Sequence, residues 1–144
     1  MTTDEIKALI PHRDPFLWID EVVELSESRL VAIKRLPADL DVFRGHYPHF
    51  PVLPGALQCE AAMQAAAVLI AHSLDIGADR VPVATRMNNV QFRRLVRPGD
   101  TLDIEVTLTE RLKDAFYLKG RVSVAGRVTT RLEFACTAAD VPRD

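Results

Sequence analysis

Cysteine is nearly absent from this chain. Cys59 and Cys136 lie far apart among apolar residues. Neither forms a C-x-x-C pair, so the spacing supports neither a zinc site nor a disulfide framework, and both read as small buried side chains. Long apolar runs are missing too. The longest, Ala65 to Ala71, is far too short to span a bilayer. There is no basic excess: 18 Lys and Arg stand against 20 Asp and Glu, a net charge of −2. That argues against a general nucleic-acid binder, which needs a strongly basic face. The opening MTTDEIKALI has neither the basic start nor the apolar run of a secretory signal. A cytoplasmic protein with no membrane insertion is therefore expected. Repeats, low-complexity tracts and a linker are also lacking. The 144 residues suit a single domain, 1–144, large enough to bury a core without staples.

What is present alternates between β-like and helical pattern. Thr2 and Glu5 have capping-box spacing and predict a short helix over residues 2–10, ended by Pro11. Phe16 to Glu24 is rich in β-formers and reads as a strand. Ser26-Glu27-Ser28 turns the chain, and Arg29 to Leu36 alternates as a second strand. Pro37, Pro48 and Pro51, with Gly45 among them, make residues 37–53 a loop. Pro54 to about Ser73 is the one long helix, with proline suited to its first position. Its stretch ALQCEAAMQAAAVLIA is apolar on nearly every face, as in a helix buried on all sides.

From Gly77 onward the pattern is β. Val81 to Leu95 holds a strand broken near Asn88-Asn89, and Arg97-Pro98-Gly99-Asp100 is a turn. Leu102, Ile104, Val106 and Leu108 alternate with polar residues. Phe116 to Ala125 and Val128 to Thr137 follow, with turns at Lys113-Asp114 and Gly126. The class is α+β, an antiparallel sheet curled around one long central helix. So small a sheet leaves part of that helix open, and a second copy of the chain would cover it.

Glu60 is out of place in such a helix. A carboxylate taken out of water is unfavourable unless paired, and it tends to hold its proton. No Lys or Arg lies between Pro54 and Asp79, while Gln64 follows at i+4 and can hydrogen-bond it. The alternative is that Glu60 faces solvent or pairs with a distant arginine. His46 sits between Gly45 and Tyr47-Pro48, residues that fix a loop and present one side chain. A neutral histidine and a protonated glutamate together supply a base and an acid, though a lone loop histidine is often merely solvated. His46 and His49 have no carboxylate or cysteine cluster beside them, so no metal is expected. Gly55, at the helix start, leaves an unpartnered N–H open to a carbonyl oxygen gaining charge; the plain alternative is an ordinary helix start.

The run GHYPHFPVLPGALQCEAAMQ resembles the FabZ-type 3-hydroxyacyl-[acyl-carrier-protein] dehydratases, which carry G-H-[FY]-P, then P-x-x-P-G, then an E-A-x-x-Q helix. PHRDPFLWID, FRRLVRPGD and the final strands match as well, so the similarity spans almost the whole chain. The resemblance implies a hotdog fold and a homodimer, commonly in trimers of dimers. Each site would take its histidine from one subunit and its glutamate from the other. It implies that His46 removes the C2 proton, Glu60 protonates the leaving C3 hydroxyl, the Gly55 N–H polarises the thioester carbonyl and Gln64 holds Glu60. No cofactor is implied, and the partner is acyl carrier protein. FabA-type enzymes, which also isomerise the double bond, have aspartate at the helix position. The chain departs from the family at Arg86–Gln91, at Gln58 and Cys59, and at His49 and Phe50, which bears on the acyl substrate. Two other functions fit such a fold. A thioesterase would not require this histidine and glutamate, and a non-catalytic acyl-binding module would need no acid–base pair. For docking an acidic carrier, Arg93, Arg94 and Arg97 are the expected basic cluster, although edge charges also serve simply to discourage aggregation.

Overall fold

The computed structural model describes residues 1–73, 76, 77 and 79–141. Helix α1 spans Thr3–Leu9, and Thr2 caps it through the full reciprocal box with Glu5. Strands β1 (Glu21–Leu25) and β2 (Arg29–Arg35) follow, then a one-turn helix α2 (Val42–Gly45) and the long helix α3 (Gly55–Ser73). Strands β3 (Arg80–Phe92), β4 (Thr101–Leu112), β5 (Ala115–Val124) and β6 (Arg127–Asp140) complete the order. All pair antiparallel in one six-stranded sheet, ordered β1-β2-β4-β5-β6-β3.

Strand β4 shows the expected alternation, with Leu102, Ile104 and Val106 wholly buried. Asn89 adopts a positive φ of 51° in β3, and the pairing with β6 shifts register between Asn88 and Gln91. The break expected at Asn88-Asn89 is thus a bulge within a continuous strand. Gly99, at φ 90°, takes the left-handed position that the Arg97–Asp100 turn requires, and the Asp100 N–H closes it onto the Arg97 carbonyl at 3.1 Å.

Two elements differ from the sequence reading. The first strand begins only at Glu21, not Phe16. Residues 16–19 are apolar because Leu17, Trp18 and Ile19 are buried, yet the Trp18 N–H and the Phe16 carbonyl bond to the Gln64 side chain on α3 rather than to a neighbouring strand. The loop at 37–53 holds the turn of helix α2, anchored by buried Phe43.

Eleven residues of α3 are buried, so the sheet covers most of the helix. Gly120 on β5 allows the close approach. A Cβ there would stand 2.9 Å from Leu132 Cδ2 and 3.1 Å from the Ala62 Cβ, so both neighbours would have to give way. Ala56, Glu60 and Met63 remain partly open along one side of α3. The helix spine is apolar, but no helix among the described residues is long and apolar enough to cross a membrane.

On the face of the sheet away from α3, Arg29 bridges Glu24 and Glu105 at 2.6 Å each, and Arg121 reaches Glu105 at 3.0 Å. Partial burial pushes the Glu105 carboxyl up, but bonding to Arg29 and the charges of Arg121 and Arg29 outweigh it and hold the group below its ordinary value. A depressed native pKa means stability that is present above the ordinary carboxylate range and lost as pH falls through the native value. Glu105→Gln should therefore melt at a lower temperature than the parent at pH 7. The difference should shrink as the pH falls through the native value and vanish below it, where both states hold the proton. Thermal melts at a series of pH values measure this, and a gap independent of pH would rule it out.

Candidate active site

His46 is the residue at which α2 ends, with an extended backbone at φ −117° and ψ 98°. Its Nδ1 lies 2.8 Å from the Val52 carbonyl. A carbonyl oxygen only accepts, so Nδ1 carries the proton in this bond, and in the neutral ring the lone pair is on Nε2. Tyr47, at a positive φ of 55°, folds its ring against the imidazole, with centroids 4.6 Å apart.

The loop carrying His46 is fastened from outside. The Arg97 guanidinium donates Nε–H to the Pro51 carbonyl at 2.8 Å and lies over the Phe50 ring, 3.5 Å from its centroid. The Leu53 N–H bonds to the Val96 carbonyl at 2.8 Å. Arg97 is therefore tied into the loop through its Nε–H and its stacked face. Gly55 follows at the start of α3, and among the described residues nothing accepts from its N–H. The ring of Phe92 rests against it, so that a Cβ would fall 2.4 Å from the ring edge.

Glu60 lies one and a half turns further along α3, with a side chain 23% exposed. Of the two settings the sequence left open, it takes the partly exposed one and borders a cavity of about 240 Å³. Met63, Ala67, Val83 and Cys136 are among the apolar residues of that cavity's wall. Gln64 is 1% exposed and fully engaged. Its Oε1 accepts from the Trp18 N–H at 2.8 Å, while its Nε2 donates to the Phe16 carbonyl at 2.9 Å and to Glu60 Oε2 at 3.1 Å. These bonds settle which end of the amide faces Glu60. Burial pushes the Cys136 thiol up to about 12, so it is a wall of the cavity and not a thiolate nucleophile.

A second histidine enters here that the sequence reading had not singled out. His12 Nε2 stands 3.8 Å from Glu60 Oε2, and its Nδ1 is buried without a hydrogen-bond partner. Its place in the PHRDPFLWID stretch was the available signal, but nothing local in sequence joins position 12 to position 60. The structure brings Glu60, Gln64 and His12 together. It does not bring His46 to them: within one chain no hydrogen bond or ion pair links His46 and Glu60. No group of three or more potential ligands among the described residues is placed to hold a metal ion.

A family model described as ApeI dehydratase matches residues 22–127. The 3-hydroxyacyl-[acyl-carrier-protein] dehydratase FabZ of Solibacter usitatus is 38% identical over 95% of this chain and 85% of its own length. FabZ of Aromatoleum aromaticum is 39% identical over 94% of this chain and 96% of its own length. Among solved structures, the dehydratase heterocomplex ApeI:P from Xenorhabdus doucetiae superposes with a TM-score of 0.80, covering 94% of this chain and 91% of that one. Its sequence is 19% identical, so that likeness speaks for the hotdog fold alone. Matched by the family model across most of its length and by full-length relatives, the chain belongs to the FabZ-type 3-hydroxyacyl-[acyl-carrier-protein] dehydratases, a hotdog-fold family.

Proposed function

We propose that this chain dehydrates a 3-hydroxyacyl thioester, borne on acyl carrier protein, to the trans-2-enoyl thioester in fatty-acid or related acyl-chain biosynthesis. The observation that carries this reading is the setting of Glu60, a carboxyl group held by Gln64 at an otherwise largely apolar cavity. An acyl chain fits such a wall, and an acid is needed beside its C3 hydroxyl. The Nε2 of His46 takes the C2 proton. The C2–H electron pair moves toward the thioester carbonyl, whose oxygen the Gly55 N–H receives. The C3–O bond then breaks, Glu60 gives its proton to the leaving hydroxyl, and water departs. Transfer of the captured proton from His46 back to Glu60, by way of water, resets the pair.

The site is composite in this proposal, with His46 from one subunit and Glu60 from the other. The separation of the two within one chain supports it. So does β3, a 13-residue strand at the edge of the sheet. Its Val83, Met87 and Phe92 are 39%, 48% and 59% exposed. A long apolar edge invites pairing with another strand, and a second β3 would cover it and close the cavity beside Glu60. We further propose a single domain, assembled as a homodimer or a trimer of dimers and working in the cytoplasm.

His46→Ala and Glu60→Gln should each lower kcat by about 10²–10⁴-fold, the usual contribution of one positioned acid or base. Mixing the two inactive variants should restore part of the activity, because some sites then combine two intact residues. Enoyl thioester formation is followed by its conjugated absorbance. Full activity in either variant, or no recovery on mixing under conditions where subunits exchange, contradicts the composite mechanism.

Gln64→Leu should destabilise the fold by about 1–3 kcal/mol, the usual penalty for leaving a buried polar group such as the Trp18 N–H unpaired. It should also lower kcat more than it raises KM, because Glu60 loses its orienting bond. Urea titration and steady-state kinetics measure both effects.

A further inference from the structure

The face of the sheet turned away from α3 carries a groove of about 480 Å³. Four cations line it, Arg93, Lys119, Arg121 and Arg131, against two carboxylates, Glu105 and Glu133. The acids do little to neutralise this set. Glu105 is shared between Arg121 and Arg29. Glu133 lies opposite Lys119 in the β5–β6 register but takes its short bond, 2.6 Å, from the Asn89 amide. Arg93 donates to the neutral Gln91 side chain. Among the described residues no salt bridge engages Arg93, Lys119 or Arg131.

The register adds a second, independent sign. Arg121 and Arg131 are direct partners across β5 and β6. Like charges facing each other across a sheet are destabilising, so the fold itself gains nothing from this pair. Nor do these residues guard an edge. Charges on edge strands keep sheets from pairing with one another, but β5 and β6 are both interior strands. In a chain whose net charge is −2, a concentration of unpaired cations inside the sheet calls for an anionic partner.

We propose that this groove is the docking surface for the acidic carrier protein that delivers the substrate. The proposal rests on the dehydratase reading for the identity of that partner. The groove reaches the site region at one end. Arg93 lines it, and the preceding residue, Phe92, rests its ring on Gly55 at the start of α3. A carrier held here lies across the sheet from the helix, with its flexible arm free to pass the end of β3. The docking set is thus Arg93, Lys119, Arg121 and Arg131. It excludes Arg97, which is committed to Pro51 and Phe50.

Charges at such a surface act mainly on encounter and on salt dependence. The double variant Lys119→Glu with Arg131→Glu, and its milder form Lys119→Gln with Arg131→Gln, should bind purified acyl carrier protein more weakly by roughly tenfold or more at low salt, the scale of electrostatic steering. Fluorescence anisotropy of a labelled carrier measures this. The value of kcat/KM on a carrier-borne 3-hydroxyacyl thioester should fall in parallel, and the loss should shrink at high salt. Turnover of the same acyl group on N-acetylcysteamine, which has no carrier to dock, should not change. Unaltered carrier binding in both folded variants overturns the proposal, as does an equal loss on both substrates. If the parent protein dehydrates neither thioester, the dehydratase reading has failed. The anisotropy measurement still decides separately whether the groove holds the carrier.

Discussion

Ala62 on α3 and Gly120 on β5 approach so closely that even one methyl group on Gly120 would press on the helix and on the Leu132 side chain. Much of the remaining architecture depends on this contact. It draws the helix against the middle of the sheet, so that residues of β2, β3, β4, β5 and β6 all meet it. It also leaves little tolerance in how α3 is rotated. With Ala61, Ala62, Ala65 and Ala66 turned into the core, the side bearing Glu60 and Met63 faces outward beside the start of β3. The position of the carboxyl group is thus a consequence of where the alanines must go.

The two side chains proposed to react are held by different means. Glu60 has the rigidity of a packed helix and the amide of Gln64, whose three bonds tie it also to the backbone at residues 16 and 18. His46 lies on irregular chain and gains its rigidity from bonds that cross the loop, through the Val52 carbonyl and, further out, Arg97. The proposed reaction takes a proton from C2 and gives one to the hydroxyl on C3, so both groups must be fixed, since small errors in placement are expensive in rate. Supplying them from separate elements lets each be stabilised by its own surroundings.

Much of this was legible in the sequence because the signals were local. The capping box, the alternation of β4, the turn at Arg97–Asp100 and the i, i+4 pair of Glu60 and Gln64 each involve residues a few positions apart. What was not legible depends on distant contacts. Residues 16–19 have the composition of a strand, but the Trp18 N–H and the Phe16 carbonyl bond to a side chain 46–48 positions away. His12 carries no pattern of its own and gains meaning only beside Glu60. Arg97 looked like a surface charge of the same kind as Arg93 and Arg94, because sequence shows charge but not what a guanidinium lies upon. The partly open side of α3 was expected from the size of the sheet. The placing of β3 at the far edge, next to β6, follows from global topology that periodicity does not encode.

The connection from β2 to α3 and the connection from β3 to β4 are fastened to each other at four points. Leu36 exchanges backbone bonds with Gly99 and Asp100, Arg97 holds Pro51, and Leu53 bonds to Val96. Segments joined in this way open and close as one cooperative unit. An excursion of the loop bearing His46 therefore carries with it the stretch that follows Phe92 and Arg93. Whatever steadies the end of β3 from outside also steadies the imidazole within, so events on the two sides of the sheet share a single mechanical linkage.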